Sequence, residues 1–299
     1  MEASALPEVA SIDPSMFDHA CALLKGPQYF PPLDLTTAET RPVADARLAA
    51  DTPLVVLERD GQRLALLIRQ FVYHHVAQGF LGDQPVAAAF CIICHSAVGF
   101  IPVVHGRPLT LSCGGVYRGA ALLVDAETET YWDHITGRGL HGPLAGASMA
   151  AFTTPIISVR AALERWPDLA LARAPRSVAS WLFGKFGMFA LRGRGFMPPP
   201  LSGLLGEVDD RLPAMTEGLG VIARRHARFY PLAALERGPL VDDWGARALQ
   251  VELRAADGLP EARWRDRDEP PLQLFTRWYA FAFTFPHCPI YGDHASGYG

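Results

Sequence analysis

Charge is scarce in this chain. Asp, Glu, Lys and Arg make up 19% of its 299 residues, against roughly 25% in ordinary soluble domains. A net charge of −4 and a pI near 6.2 leave no basic face to displace counterions from a duplex, so nucleic acid is excluded as an expected partner. Lys25 and Lys185 are the only lysines. The opening residues MEASALPEVASIDPSMF carry Glu2 and Glu8 and lack both a positive leader and an apolar core, so a cytoplasmic location is expected. Also missing are a G-x-S-x-G elbow and a P-loop, and Gly193-Arg194-Gly195 is only an echo of a dinucleotide loop. A serine hydrolase and a nucleotide-binding enzyme are thereby disfavoured. Cys21, Cys91, Cys94, Cys113 and Cys288 are odd in number and widely spread, which is no disulfide framework. Free thiols or metal ligands fit better.

What the chain has in quantity is apolar residues, 49%, with 27 glycines and 25 prolines. That composition calls for a large interior cut by many turns. The expected class is α+β and β-rich, two weakly repeated β-rich halves packed into one globular unit. Residues 1–53 read as an N-terminal arm with one short helix around Pro14 to Leu24, and 54–170 as a β-rich half carrying the candidate site. Residues 171–214 read as an apolar and aromatic connection, and 215–299 as a second, degenerate half. Asp60-Gly61 between two apolar runs predicts a hairpin. Val159 to Trp166, closed by Pro167, predicts a short helix.

The repeat is faint. Residues 63–83 lie over 227–247 at a shift of 164, with Ile68 over Leu232, Phe71 over Leu235, Val76 over Leu240 and Phe80 over Trp244. Gly238 stands where the first copy has His74, and no second Cys-x-x-Cys follows. Only the first half is therefore expected to hold a site.

Two stretches raise a membrane question. The 23 residues between Asp83 and Arg107 contain no charged side chain, which meets the ~20-residue length of a span. Pro85, Pro102 and the thiols and imidazoles inside it favour two short buried strands instead. Ser177 to Leu191 is too short to cross. It reads as a core helix or hairpin, or as a lid over an anionic or lipid-like ligand.

Cys91-Ile92-Ile93-Cys94-His95 is the most chemical stretch, because two thiols at this spacing hold one metal or close one disulfide. A closed structural zinc site wants a second pair of ligands at ribbon spacing, and none follows. A c-type haem or a thioredoxin-like dithiol would each want a helix here, whereas the following sequence reads as strand. His74 and His75 end an apolar run, where adjacent strand residues face opposite ways, so one of the two is expected beside the thiols. Two cysteines and one histidine form a soft, three-ligand set suited to Cu(I) or Zn(II), with a position open to substrate or dioxygen. His95 and Cys113 are weaker ligand candidates. His75, Asp133 and His134 are candidates for catalysis. His141 is a further candidate, Asp125 reads as a turn acid, and for each of these a buried thiol or turn residue is the plain alternative.

These motifs occur in a recognisable order. Leu66-Leu67-Ile68-Arg69, Tyr73-His74-His75-Val76 and Val86 to Phe90 run into Cys91-Ile92-Ile93-Cys94. Ser112-Cys113-Gly114 with Tyr117, Asp125 through Thr128 to Trp132, and Gly142-Pro143-Leu144-Ala145-Gly146 follow. Together they resemble the prokaryotic domain-of-unknown-function family 3179 over about residues 54–170, with an echo at 219–290. The resemblance places the family's histidine at His74 and its cysteines at Cys91 and Cys94. Departures are His75 for an acid, Tyr73 for Trp, Gln78-Gly79 for Asn-Asp, Cys113 for a small or apolar residue, and His95 after the pair.

The expected function is a metal-dependent enzyme, copper favoured with zinc or iron next, performing an oxidative or tailoring step on a small molecule. Cys91, Cys94 and His74 would hold the metal. The rivals are a metal-delivery protein, a thiol-redox protein, and a scaffold whose Cys-x-x-Cys is only a core feature. A carrier needs an exposed, exchangeable site and an enzyme needs a cleft beside the metal. Oligomeric state is not legible.

Overall fold

A two-residue turn at Asp60-Gly61, both with positive φ, joins the strands Pro53–Arg59 and Gln62–Leu67 as the Asp-Gly signal predicts. The chain then forms a short helix, Ile68–His74, and a three-stranded meander of Val76–Leu81, Gln84–Cys91 and Ser96–Ile101. The charge-free run therefore folds as buried strands. The structure is a computed structural model that describes residues 11–27, 29–175, 181–182, 197–223, 226–245 and 247–292.

The protein is β-rich with short helices, as its composition implies. After Ile101 the chain builds a further sheet from Leu111–Tyr117, Ala120–Asp125, Tyr131–Asp133 and Gly139–His141, with Ala22–Leu24 on its outer edge. That edge strand comes close enough to need Gly115, whose φ is +118° and whose Cβ would run into the Leu23 carbonyl. Ala150–Thr153 returns to the meander, and Ile156–Ser158 pairs with Pro53–Arg59. Ser158 then caps the helix Val159–Arg165, its hydroxyl accepting from the Ala161 amide at 3.2 Å. The arm differs from its expectation. Asp13 and Asp18 each cap a single 3-10 turn, Pro14–Met16 and His19–Cys21, in place of one helix, because short Asp side chains satisfy local amides and stop propagation.

The C-terminal part has the same succession of elements. Glu217–Ala223, His226–Pro231, the helix Leu232–Leu235, Leu240–Asp243, Ala248–Leu253 and Pro260–Trp264 begin 164 residues after Pro53, Gln62, Ile68, Val76, Gln84 and Ser96. The pairing also corresponds: Leu272–Arg277 lies beside Glu217–Ala223 as Ile156–Ser158 lies beside Pro53–Arg59, and the helix Trp278–Thr284 follows it. One buried core cluster joins Val98, Phe100 and Trp132 to Phe229, Trp278 and Phe281, each large side chain contributing about 1.5–3 kcal/mol of burial. The stretch from Ser177 to Leu191 lies outside the described residues except for Trp181 and Leu182, both exposed.

Candidate metal centre

Cys91 ends the strand Gln84–Cys91, and Ser96, its register partner, opens the next. Residues 92–95 must therefore reverse the chain, and His95 does so with a φ of +58°. This knuckle folds the Cys94 amide back to donate to Cys91 Sγ at 3.2 Å, and the Ala121 amide adds a second donor at 3.4 Å. N–H donors aimed at sulfur favour the thiolate over the thiol.

The histidine that reaches this knuckle is His134. It sits in the turn after Tyr131–Asp133, where Asp133 accepts from the Thr136 amide at 2.7 Å and the Thr136 hydroxyl at 2.6 Å. That clasp fixes the turn and projects the imidazole inward. His134 Nε2 lies 3.2 Å from Cys94 Sγ and 2.8 Å from Ser96 Oγ, and Ser96 Oγ is 3.1 Å from the same sulfur. The ligand atoms of Cys91, Cys94 and His134 lie within 4.8 Å of one another. An ion with bonds of about 2.0–2.3 Å needs donors roughly 3.5–4 Å apart, which small side-chain rotations supply here.

The charge environment suits an anionic pair. Burial opposes ionisation of both thiols. Against it, the hydrogen bond from Cys94 and the nearby His134 hold Cys91 well below the usual thiol range. Burial, and then the hydrogen bond and charge of Cys91, push Cys94 well above it. The first proton leaves the pair readily and the second is retained. Arg277, 1% exposed, donates its amide to the Cys94 carbonyl at 3.0 Å and Nη1 to the Ile93 carbonyl at 2.7 Å. Its Nη2 lies 3.6 Å from Glu217, so a buried cation stands beside the thiols. His134 Nδ1 is buried and has no hydrogen-bond partner among the described residues, whereas a metal-bound imidazole usually donates that N–H to an acceptor. Two buried thiols and one imidazole fit a soft metal ion.

Residues 28–269 match the family described as Protein of unknown function (DUF3179). The chain belongs to that family. The match covers four fifths of the sequence and takes in the knuckle, His134 and the strands between Glu217 and Trp264. No curated protein and no solved structure matches the chain.

In this DUF3179 protein the other candidates lie apart from the trio. His74 ends the short helix, and its Nδ1 is 2.8 Å from the Pro31 carbonyl. The apolar run before it coils into that helix and does not extend as a strand, so the alternation expected for His74 and His75 does not apply. His75 takes the residue after the helix with a φ of +56° and stacks edge-on against Phe30 at 4.9 Å. His95 turns to Glu217, 3.8 Å from its carboxylate, and packs on Phe275. His141 stacks on Phe17 at 5.0 Å near the surface. Asp125 is wholly buried and accepts from Thr128, Thr130 and Trp132 as the anchor of its own turn. The signal for His134 was present in Asp133-His134-Ile135-Thr136, since an acid with Thr three residues on is a turn clasp.

A cavity of about 290 Å³ lies against the DUF3179 knuckle, with Cys91, Cys113 and His75 in its wall. Burial pushes the Cys113 thiol up to about 11, so it remains protonated. Burial, then the charge of His74, lowers His75 to about 4, so it is neutral. A larger cleft of about 570 Å³ at Phe152, Arg254 and Arg263 holds none of the trio. No helix among the described residues is long and apolar enough to cross a membrane.

Proposed function

We propose that this protein is a metal-dependent enzyme acting on a small molecule, with one soft ion held by Cys91, Cys94 and His134. The observation that carries the reading is the convergence of three fully buried soft donors. His134 takes the place in the set that sequence resemblance gave to His74. Cu(I) is favoured over Zn(II) because two thiolates and one imidazole complete a three-coordinate soft site, whereas zinc and iron prefer a fourth ligand. Such an ion supplies Lewis-acid or oxidative chemistry. Around it, the Ala121 and Cys94 amides hold the Cys91 sulfur, Asp133 positions His134, and neutral His75 stands in the cavity wall. A delivery protein would expose its ligands for exchange; burial of the trio beside a cavity supports an enzyme. The domain division proposed from the sequence places the centre in the 54–170 half.

Metal content of protein purified without chelator, measured with the X-ray absorption edge of the bound metal, tests this. About one ion per chain with sulfur and nitrogen neighbours is expected, lost in Cys91→Ser and His134→Ala and kept in His74→Ala. A metal-free native protein, or metal lost only in His74→Ala, overturns it. The unequal protonation of the two thiols supports thiol-redox chemistry as a second reading, which predicts a Cys91–Cys94 disulfide by mass on mild oxidation.

A further inference from the structure

We propose that the cavity beside Cys91 binds a small molecule with an apolar body and one carboxylate end, the carboxylate meeting Lys25 at the rim. This rests on the reading of the adjoining centre as an enzyme's and names the class of its ligand.

The walls set the body of that ligand. Leu23, Phe30, Ile92, Val116 and Ala121 line the space, and an apolar hollow of this size is filled better by hydrocarbon than by water. The titratable groups in its wall are His75, Cys113 and Cys91, with Lys25 and Tyr29 toward the open end. His75 and the Cys113 thiol are both held in their neutral forms by burial. Cys91 shows the cavity little of its sulfur, being 1% exposed and engaged by the Ala121 amide. At the open end, Leu23 and Tyr29 leave large apolar surface in solvent, 43% and 60% exposed. That surface continues the apolar path outward.

Lys25 sets the end group. Its backbone is fixed by its amide donating to the Gly114 carbonyl at 2.8 Å and by the Tyr131 hydroxyl donating to the Lys25 carbonyl at 3.3 Å. Its ammonium rests on the Tyr29 ring, 4.8 Å from the centroid. No carboxylate pairs with it among the described residues, in a chain with only two lysines. A half-buried cation fixed at the mouth of an apolar hollow, with no carboxylate paired to it among the described residues, favours an anion over a cation there. A molecule anchored there by its carboxylate lays its tail toward Cys91.

Isothermal titration of the purified protein with octanoate, 1-octanol and octylamine tests the proposal. Octanoate is expected to saturate at one per chain, octanol to bind about tenfold more weakly and octylamine not at all, a tenfold step being the usual size of one charge contact. Lys25→Met, which keeps the stem, should bring octanoate down to octanol's affinity. Val116→Phe should remove both, with thermal melts showing that each variant is folded. Absence of saturable octanoate binding, or binding unchanged in Lys25→Met, overturns the proposal. The same titration on Cys94→Ser separates the two readings. Octanoate bound by a native protein that holds no metal keeps the ligand class and sinks the metal centre; metal present without octanoate binding does the reverse.

Discussion

The turn at Cys91 to Ser96 and the turn at Arg254 to Pro260 close corresponding hairpins, yet one buries two thiols and the other is more exposed and ion-paired. At the shift of 164, Cys91 corresponds to Ala255 and Cys94 to Gly258, whose φ is +70°. In the second turn the work of the sulfur is done by charge. Arg254 bonds Asp257 at 3.1 Å and reaches Glu261 at 3.5 Å, and the Gly258 amide donates to the Arg254 carbonyl at 2.8 Å. Each turn is also gripped by the outer strand of the other half. Arg277, ending Leu272–Arg277, donates to the Cys94 carbonyl, and the Ser158 amide, ending Ile156–Ser158, donates to Asp257 at 3.0 Å. What separates the turns is the sheet between Leu111 and His141, which packs only on the first and brings both Ala121 and His134 to it. The scaffold is shared, and the chemistry arrives with the inserted sheet.

Removal of the metal proposed for the centre should separate the halves most sharply. Ligand held at a thousand times its Kd stabilises a fold by about 4 kcal/mol, so Cys91→Ser or a chelator should lower the unfolding free energy by that order and the melting temperature with it. Equal melting of native and chelated protein would remove the distinction. Next is Arg277→Met, which leaves the Ile93 carbonyl unpaired and the thiolates without their cation. A loss of roughly 3 kcal/mol in denaturant unfolding is expected, with weaker metal retention.

Acid should act through His75. Its folded value of about 4 lies below the ordinary 6.5, so between those limits the unfolded chain binds a proton that the folded chain refuses. Stability is complete above pH 6.5 and falls as the pH drops toward 4, by up to about 3 kcal/mol. His75→Asn, which tolerates the positive φ, should flatten that slope in urea titrations across this range. A smaller effect, about 1–2 kcal/mol in the same assay, is expected for Arg254→Met in the ion-paired turn, with metal content unchanged. Least of all, Ala255→Ser should shift stability by no more than about 0.5 kcal/mol. A large cost there would show that the second turn is as tightly packed as the knuckle.

Local rules made part of this legible. Asp60-Gly61 marked its hairpin because Asp and Gly tolerate the positive φ that such a turn requires. Pro167 bounded the helix read from Val159, because a proline ring stops a helix within a residue or two; the Ser158 cap at its other end came only with the structure. The two cysteines were legible as a pair, since a spacing of three fixes them on one turn. His74 and His75 misled on geometry, because a short run with apolar residues at Ile68, Phe71, Val72 and Tyr73 serves equally as a strand or as two turns of helix, and packing chose the helix.

The sequence by itself determined the β-rich class, the buried charge-free strands and the presence of two soft thiols, all set by periodicity, turn chemistry and spacing. Only the tertiary structure decided which histidine joins them. His134 is 40 residues from Cys94 along the chain, and its approach follows from how the inserted sheet packs over the knuckle. Non-local packing of that kind leaves no local pattern to read. The cavity and the counter-charge of Arg277, 184 residues from Ile93, were decided in the same way.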